Sequence, residues 1–171
     1  MKKITNVPGS HPPGRRRWGR AQQAPTTDPY KARGKPPEPT ICPQCQAVFH
    51  DGRWRWGPPP PGAHQTLCPA CHRIADKFPA GTVTLAGTFL PSKKAEILHL
   101  AHHQEEAEKA EHPLDRIMSI DESSDAIVIN TTDIHLPRRI GEALKRAFQG
   151  KLDVAFEKDG YFVRVNWHRD A

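Results

Sequence analysis

A chain of 171 residues could form one ordinary domain, but 18 prolines and a hydrophobic share of 36% leave too little apolar material for one large core; two small modules and a tail are expected. The net charge of +6 is uneven: residues 1–40 carry nine Lys or Arg against Asp28 and Glu38, whereas residues 41–171 carry 16 against 17. No apolar run approaches a membrane span, and Met1-Lys2-Lys3-Ile4 is followed by no apolar run before Pro8, so export is not expected and a reducing cytoplasm is the expected compartment.

The first forty residues contain Pro12-Pro13-Gly14, the run Arg15-Arg16-Arg17-Trp18-Gly19-Arg20, and Lys31-Ala32-Arg33-Gly34-Lys35. Proline and glycine forbid a continuous helix, and so positive a segment with few apolar residues is expected to stay disordered until it meets a polyanion. Nucleic acid is the partner that charge implies. Arg15, Arg16, Arg17 and Arg20 would neutralise phosphates, with Trp18 available for stacking.

Residues 41–90 follow as a small zinc ribbon. Cys42-Pro43-Gln44-Cys45 and Cys68-Pro69-Ala70-Cys71 use all four cysteines, and paired Cys-x-x-Cys motifs are the usual form of a four-thiolate zinc site. Four sulfurs close the tetrahedron and leave no position for an activated water, so the metal is expected to be structural. Redox Cys-x-x-Cys chemistry is the competing reading, and the same sulfurs also suit iron. Gln46 and His72 stand where many zinc knuckles place glycine. Gln46 to His50 and Gly52 to Trp56 read as a hairpin, and Gly57-Pro58-Pro59-Pro60-Pro61-Gly62 as a stiff connection to the second knuckle. Arg53-Trp54-Arg55-Trp56 alternates, so the tryptophans share one strand face and the arginines the other. The indoles either cover the metal site or stack on bases, and the arginines suit a phosphate backbone. His50, His64 and His72 are expected to line the site.

Residues 91–112 are expected to form a bridging helix that starts at Pro91 with Ser92 as its cap and stops at Pro113. Its His99 and His103 have the i, i+4 spacing of a metal pair but read better as a solvated face. Residues 113–171 read as a compact ββαββ module with a four-stranded antiparallel sheet: strands Arg116 to Ile120, Ala126 to Asn130, Leu152 to Phe156 and Tyr161 to Trp167, and a helix from Ile134 to Gln149. Thr131, Thr132 and Asp133 are candidate N-caps for that helix and Gly150 its C-cap. Leu136, Ile140, Ala143, Leu144, Ala147 and Phe148 gather on one side, and Arg138, Arg139, Lys145 and Arg146 opposite. That cationic face suits phosphate contacts as well as plain solvation. The fold class expected is therefore α+β.

The chain carries two resemblances. Thr131 to Gly150, with Asp28-Pro29-Tyr30-Lys31, the segment Ala47 to Trp56 and His112 to Met118, is similar to a family of poorly characterised bacterial zinc-ribbon proteins, across most of residues 28–168. More distantly, paired knuckles followed by a helix with small and basic positions resemble the amino-terminal half of the nonsense-mediated-decay-protein-three family, the large-ribosomal-subunit export adaptor. That resemblance implies ribosomal RNA and large-subunit binding.

No phosphate-cradling glycine motif, nucleophile elbow or framed carboxylate pair is present, so a non-enzymatic protein is expected. The leading reading is a zinc protein that binds structured RNA, with Arg53, Arg55, Arg138, Arg139, Lys145 and Arg146 joining the tail cations. A zinc-ribbon adaptor for a protein partner is the alternative. A DNA-binding regulator is the third, without a clear helix-turn-helix pattern.

Overall fold

The computed structural model describes residues 28–31, 35–158 and 160–171. Arg15, Arg16, Arg17, Trp18 and Arg20 lie outside the described residues. The α+β class holds, with three helices and two mixed sheets among the described residues.

The first sheet is built from β1 (Thr40–Ile41), β2 (Val48–His50), β3 (Arg53–Arg55) and β4 (His64–Gln65), in the order β3-β2-β1-β4. The expected hairpin is β2–β3, closed by the two residues Asp51 and Gly52 with φ of 52° and 76°. Positive φ at both central positions matches the right-handed twist of the flanking strands, and Asp-Gly is a favoured pair there. Glu38 fixes the turn by accepting the Asp51 and Gly52 amides at 3.0 and 2.9 Å. The helix α1 (Pro69–Asp76), which the sequence reading lacks, begins at the second knuckle.

The second sheet runs β6-β7-β5-β9-β8, from β5 (Gly81–Ala86), β6 (Ile117–Glu122), β7 (Ala126–Thr131), β8 (Lys151–Phe156) and β9 (Val163–His168). Four strands and the helix α3 (Leu136–Phe148) are the ββαββ unit. The expected four-stranded antiparallel sheet is corrected: β5, read as part of the ribbon segment, sits at its centre, antiparallel to β7 and parallel to β9. Alternation explains why. Val83 and Leu85 point into the core and Thr82 and Thr84 away from it, the period of a strand buried on one face.

The helix α2 (Leu90–Glu111), expected as a bridge, also packs into the second module, with Leu90, Ile97 and Ala101 buried in the same core as α3 and the sheet. Its start is not capped by Ser92, which lies inside the first turn and donates to the Phe89 carbonyl at 2.9 Å. α2 connects β5 to β6, two strands made parallel by the antiparallel β7 between them, a split β-α-β arrangement.

Asp133 is the working N-terminal anchor of α3: its Oδ2 accepts the His135 and Leu136 amides at 2.6 and 2.9 Å. Leu136, Ile140, Ala143 and Leu144 are buried as the helical period requires, whereas Ala147, expected among them, is exposed. Gly141 lets α3 approach the sheet, since a Cβ there would meet Val165 Cγ1 at 2.7 Å and Leu152 Cδ1 at 2.8 Å. The helix ends on Gln149 with φ 63°, followed by Gly150 with φ 94°.

Candidate functional site

All four cysteines meet. Cys42, Cys68 and Cys71 are buried, Cys45 is half-buried, and the four Sγ atoms lie within 4.8 Å of one another. A tetrahedron with metal–sulfur bonds of about 2.3 Å has edges of roughly 3.8 Å. Cys45 Sγ and Cys68 Sγ are 3.8 Å apart. The donor set and its spacing fit a zinc-sized ion.

The two knuckles reach this arrangement differently. In the first, Cys42 N donates to the Ala47 carbonyl at 2.8 Å and Gln46 N to the Cys42 carbonyl at 2.9 Å, while Gln46 takes φ 67°. Glutamine thus adopts the left-handed turn that glycine supplies in many knuckles, and its Nε2 donates to the Pro43 carbonyl at 3.0 Å. The second knuckle is a helix start. Cys68 is the N-cap of α1, its Sγ accepting the Cys71 amide at 3.4 Å, with Pro69 in the first turn where its missing N–H costs nothing. His72 therefore needs no glycine-like conformation. Cys42 Sγ accepts the Cys68 amide at 3.3 Å.

Arg116 completes the centre, a residue that sequence reasoning missed. It immediately precedes β6, is buried, and donates from Nη2 to Cys45 Sγ and Cys68 Sγ, each at 3.3 Å, and from Nη1 to Cys71 Sγ at 3.5 Å. Its Nε donates to the Pro113 carbonyl at 2.7 Å, and its backbone N to Thr132 Oγ1 at 2.9 Å. Four thiolates around a divalent ion carry a net charge of about −2, and a planar guanidinium can face three sulfurs at once. Burial works against the Arg116 charge, but the Cys45 and Cys68 sulfurs outweigh it and hold the guanidinium more firmly protonated. Without metal the sulfurs share protons unequally. The hydrogen bond with Cys68 draws the Cys45 thiol down to about 4 against the opposing effect of burial, and the same bond holds Cys68 up: one shared proton seen from its two ends. Burial raises Cys71.

The aromatic strand resolves by position. Trp54 packs against the cysteine cluster and lies 5.5 Å from Phe49, so it covers the centre as one of the two readings required. Trp56 instead donates from Nε1 to the Lys109 carbonyl of α2 at 2.6 Å, tying the first sheet to the helical layer. None of His50, His64 and His72 hydrogen-bonds a cysteine sulfur; His50 sits 3.1 Å from Asp51 and His72 3.5 Å from Asp76. Glu38, His50 and Asp51 cluster on the surface, but Glu38 is engaged by the turn amides and Asp51 by Arg55. His99 and His103 are exposed and belong to no ligand cluster among the described residues.

A second unforeseen arginine anchors the segment before the ribbon. Arg73, on α1 and 0% exposed, meets Asp28 Oδ1 at 2.7 Å, donates to the Phe78 carbonyl at 3.1 Å and lies 4.2 Å from the Tyr30 ring centroid. Asp28-Pro29-Tyr30-Lys31 is thereby fixed against α1, with the Tyr30 hydroxyl donating to Asp76 at 2.9 Å.

Beside the four-cysteine cluster opens a groove of about 840 Å³ between the β2–β3 hairpin and residues 111–115. Lys31, Lys35, Arg53 and Arg55 line it together with Tyr30 and Trp54. The structure thus brings Arg53 and Arg55 to one groove. Arg55 is partly engaged, meeting Asp51 at 2.9 Å, while its buried Nε has no partner among the described residues. The α3 cations are not gathered there. Arg138 pairs with Glu142 at 2.8 Å and Arg139 with Glu108 at 3.3 Å, and both line a separate cleft of about 620 Å³; Lys145 and Arg146 are exposed and form no ion pair among the described residues.

The fold and site define an α+β protein with a four-cysteine centre of a geometry compatible with zinc. Compared with protein-family models, with curated proteins and with solved structures, the chain finds no match. Among the described residues no helix is long and apolar enough to cross a membrane.

Proposed function

We propose that this is a non-enzymatic, cytoplasmic zinc protein that binds structured RNA, with the ribosome as its site of action. Zinc, when bound, supplies a fixed tetrahedral crosslink. Cys42, Cys45, Cys68 and Cys71 hold it, Arg116 balances its charge, and Trp54 shields it. The observation that carries the RNA reading is the convergence of Lys31, Lys35, Arg53 and Arg55 on one groove that also contains the half-buried rings of Tyr30 and Trp54. Cations beside aromatic rings suit phosphates and bases together. The basic residues 1–27 add longer-range attraction. The test is sedimentation of the protein with ribosomes across a salt series, before and after nuclease. Co-sedimentation that weakens steeply with salt and collapses after nuclease supports the reading; a salt-insensitive, nuclease-resistant complex overturns it.

A protein-adaptor reading draws on α1 and the loop after it, where Ile74 is 40% and Phe78 56% exposed. A stoichiometric complex that survives nuclease and is lost in Phe78→Ser would favour it.

A further inference from the structure

We infer that the groove beside the metal centre takes an unpaired nucleotide of RNA, its phosphate held at the basic rim by Lys35 and Arg53 and its base laid on the apolar floor around Leu67 and Trp54. This rests on the RNA reading above and adds which form of RNA the site accepts.

The rim and the floor differ in chemistry. Lys31, Lys35 and Arg53 are exposed at the rim, and Lys35 and Arg53 carry no ion pair to an acid among the described residues. The floor includes Leu67, exposed by 41% although large and apolar, next to Pro69, Pro113, Leu114 and the half-buried Trp54. An isolated exposed leucine needs no explanation, but one set in a recess among prolines and an indole presents a flat apolar surface that a base can cover. Stacked bases of an A-form duplex cannot descend into such a recess, because the duplex offers its backbone and a shallow minor groove; an unpaired base can be splayed out and stacked.

Charge complementarity selects the occupant. The preceding residues 1–27 are themselves basic and do not complement a basic rim. The acids at the far wall are Glu111 and Asp115, and burial pushes the Asp115 carboxyl up to about 8, so near neutral pH most of it is uncharged and does not repel a phosphate. The volume of about 840 Å³ falls in the range of small-molecule sites and exceeds what one base requires.

The experiment uses the full-length zinc-loaded protein and three probes: a fluorescein-labelled ten-nucleotide oligouridine carrying 4-thiouridine at its centre, a blunt RNA duplex of equal length, and an acidic peptide of glutamates. The oligouridine should bind at least about tenfold more tightly than the duplex. Its crosslink should map to Lys31, Lys35, residues 49–56 or residues 111–115. Lys35→Glu with Arg53→Glu, and separately Leu67→Glu, should each weaken oligouridine binding about tenfold or more, with a smaller loss for the duplex. These side chains are exposed, so the folded structure is retained, which circular dichroism checks. Equal affinity for the two RNAs, or a crosslink confined to α3 or the first 27 residues, overturns the groove assignment while leaving RNA binding standing. Tighter binding of the acidic peptide overturns the groove assignment in favour of a protein ligand. Failure to bind either RNA overturns both readings.

Discussion

Arg116 places its guanidinium 3.3 Å from the sulfur of Cys45, a residue 71 positions earlier in the chain. The same side chain reaches two further cysteines, and its backbone is tied to Thr132, just after β7. The cysteine cluster and the five-stranded sheet therefore share a buried charge. Removing Arg116 leaves a net negative cluster uncompensated in a poorly solvated site. Arg116→Met should lower zinc affinity about ten- to hundredfold. Arg116→Lys should recover part of that loss, because an ammonium restores charge without the fork that faces three sulfurs. Competition with a coloured chelator at fixed pH gives the order; equal affinities for all three proteins would deny the arginine its role.

Asp28 and Arg73 form the most secluded ion pair among the described residues, 2.7 Å apart. Taking away one partner strands the other charge in the interior. Asp28→Ala should cost about 3–5 kcal/mol of folding stability, far more than any surface ion pair of α3. Urea titration measures it. A loss no greater than that of Arg138→Ala, whose pair with Glu142 is exposed, would contradict the assignment.

Asp115 gives the stability a pH dependence of unusual sign. Burial first, then the charges of Asp133 and Glu108, push its carboxyl from an ordinary 3.8 up to about 8. Between those values the folded protein keeps a proton that the unfolded chain has released. This group's contribution is therefore full below pH 3.8 and is lost as pH rises through about 8. Asp115→Asn keeps the neutral shape, and should stabilise the protein on the order of 1–3 kcal/mol at pH 8 while changing it little near pH 4. Denaturant midpoints at the two pH values decide it, and a shift of equal size at both would show that the carboxyl is not the cause.

Gly141 sets the spacing between α3 and the sheet. Gly141→Val would press new methyl groups into Val165 and Leu152, and should destabilise the protein by about 1–3 kcal/mol despite valine's adequate helix propensity. Thermal melting checks this, with Gly141→Ala expected to show a smaller loss.

Much of this molecule could be read from local pattern. The two Cys-x-x-Cys motifs announced the metal centre, Asp51-Gly52 lay at the hairpin turn, and the period of α3 foretold Leu136, Ile140 and Leu144 in the core. The second knuckle hid a helix because its N-cap is a cysteine rather than Ser, Thr, Asp or Asn; Pro69 in the first turn was the available signal. Thr82-Val83-Thr84-Leu85 alternates as a strand should, yet which sheet it joins depends on partners β7 and β9, more than 40 residues away along the chain. Arg116 and Arg73 left no local trace. Each is one arginine among many, and their burial is defined only by sulfurs, a carboxylate and rings brought from distant segments.

The most direct test of a single closed metal centre is native mass spectrometry with metal analysis on protein purified without added zinc. One zinc per chain is expected, with no disulfide, and with loss of the metal in Cys42→Ser and in Cys68→Ser alike. A metal-free chain with its four cysteines paired as disulfides, or zinc retained at full occupancy in both variants, would contradict it.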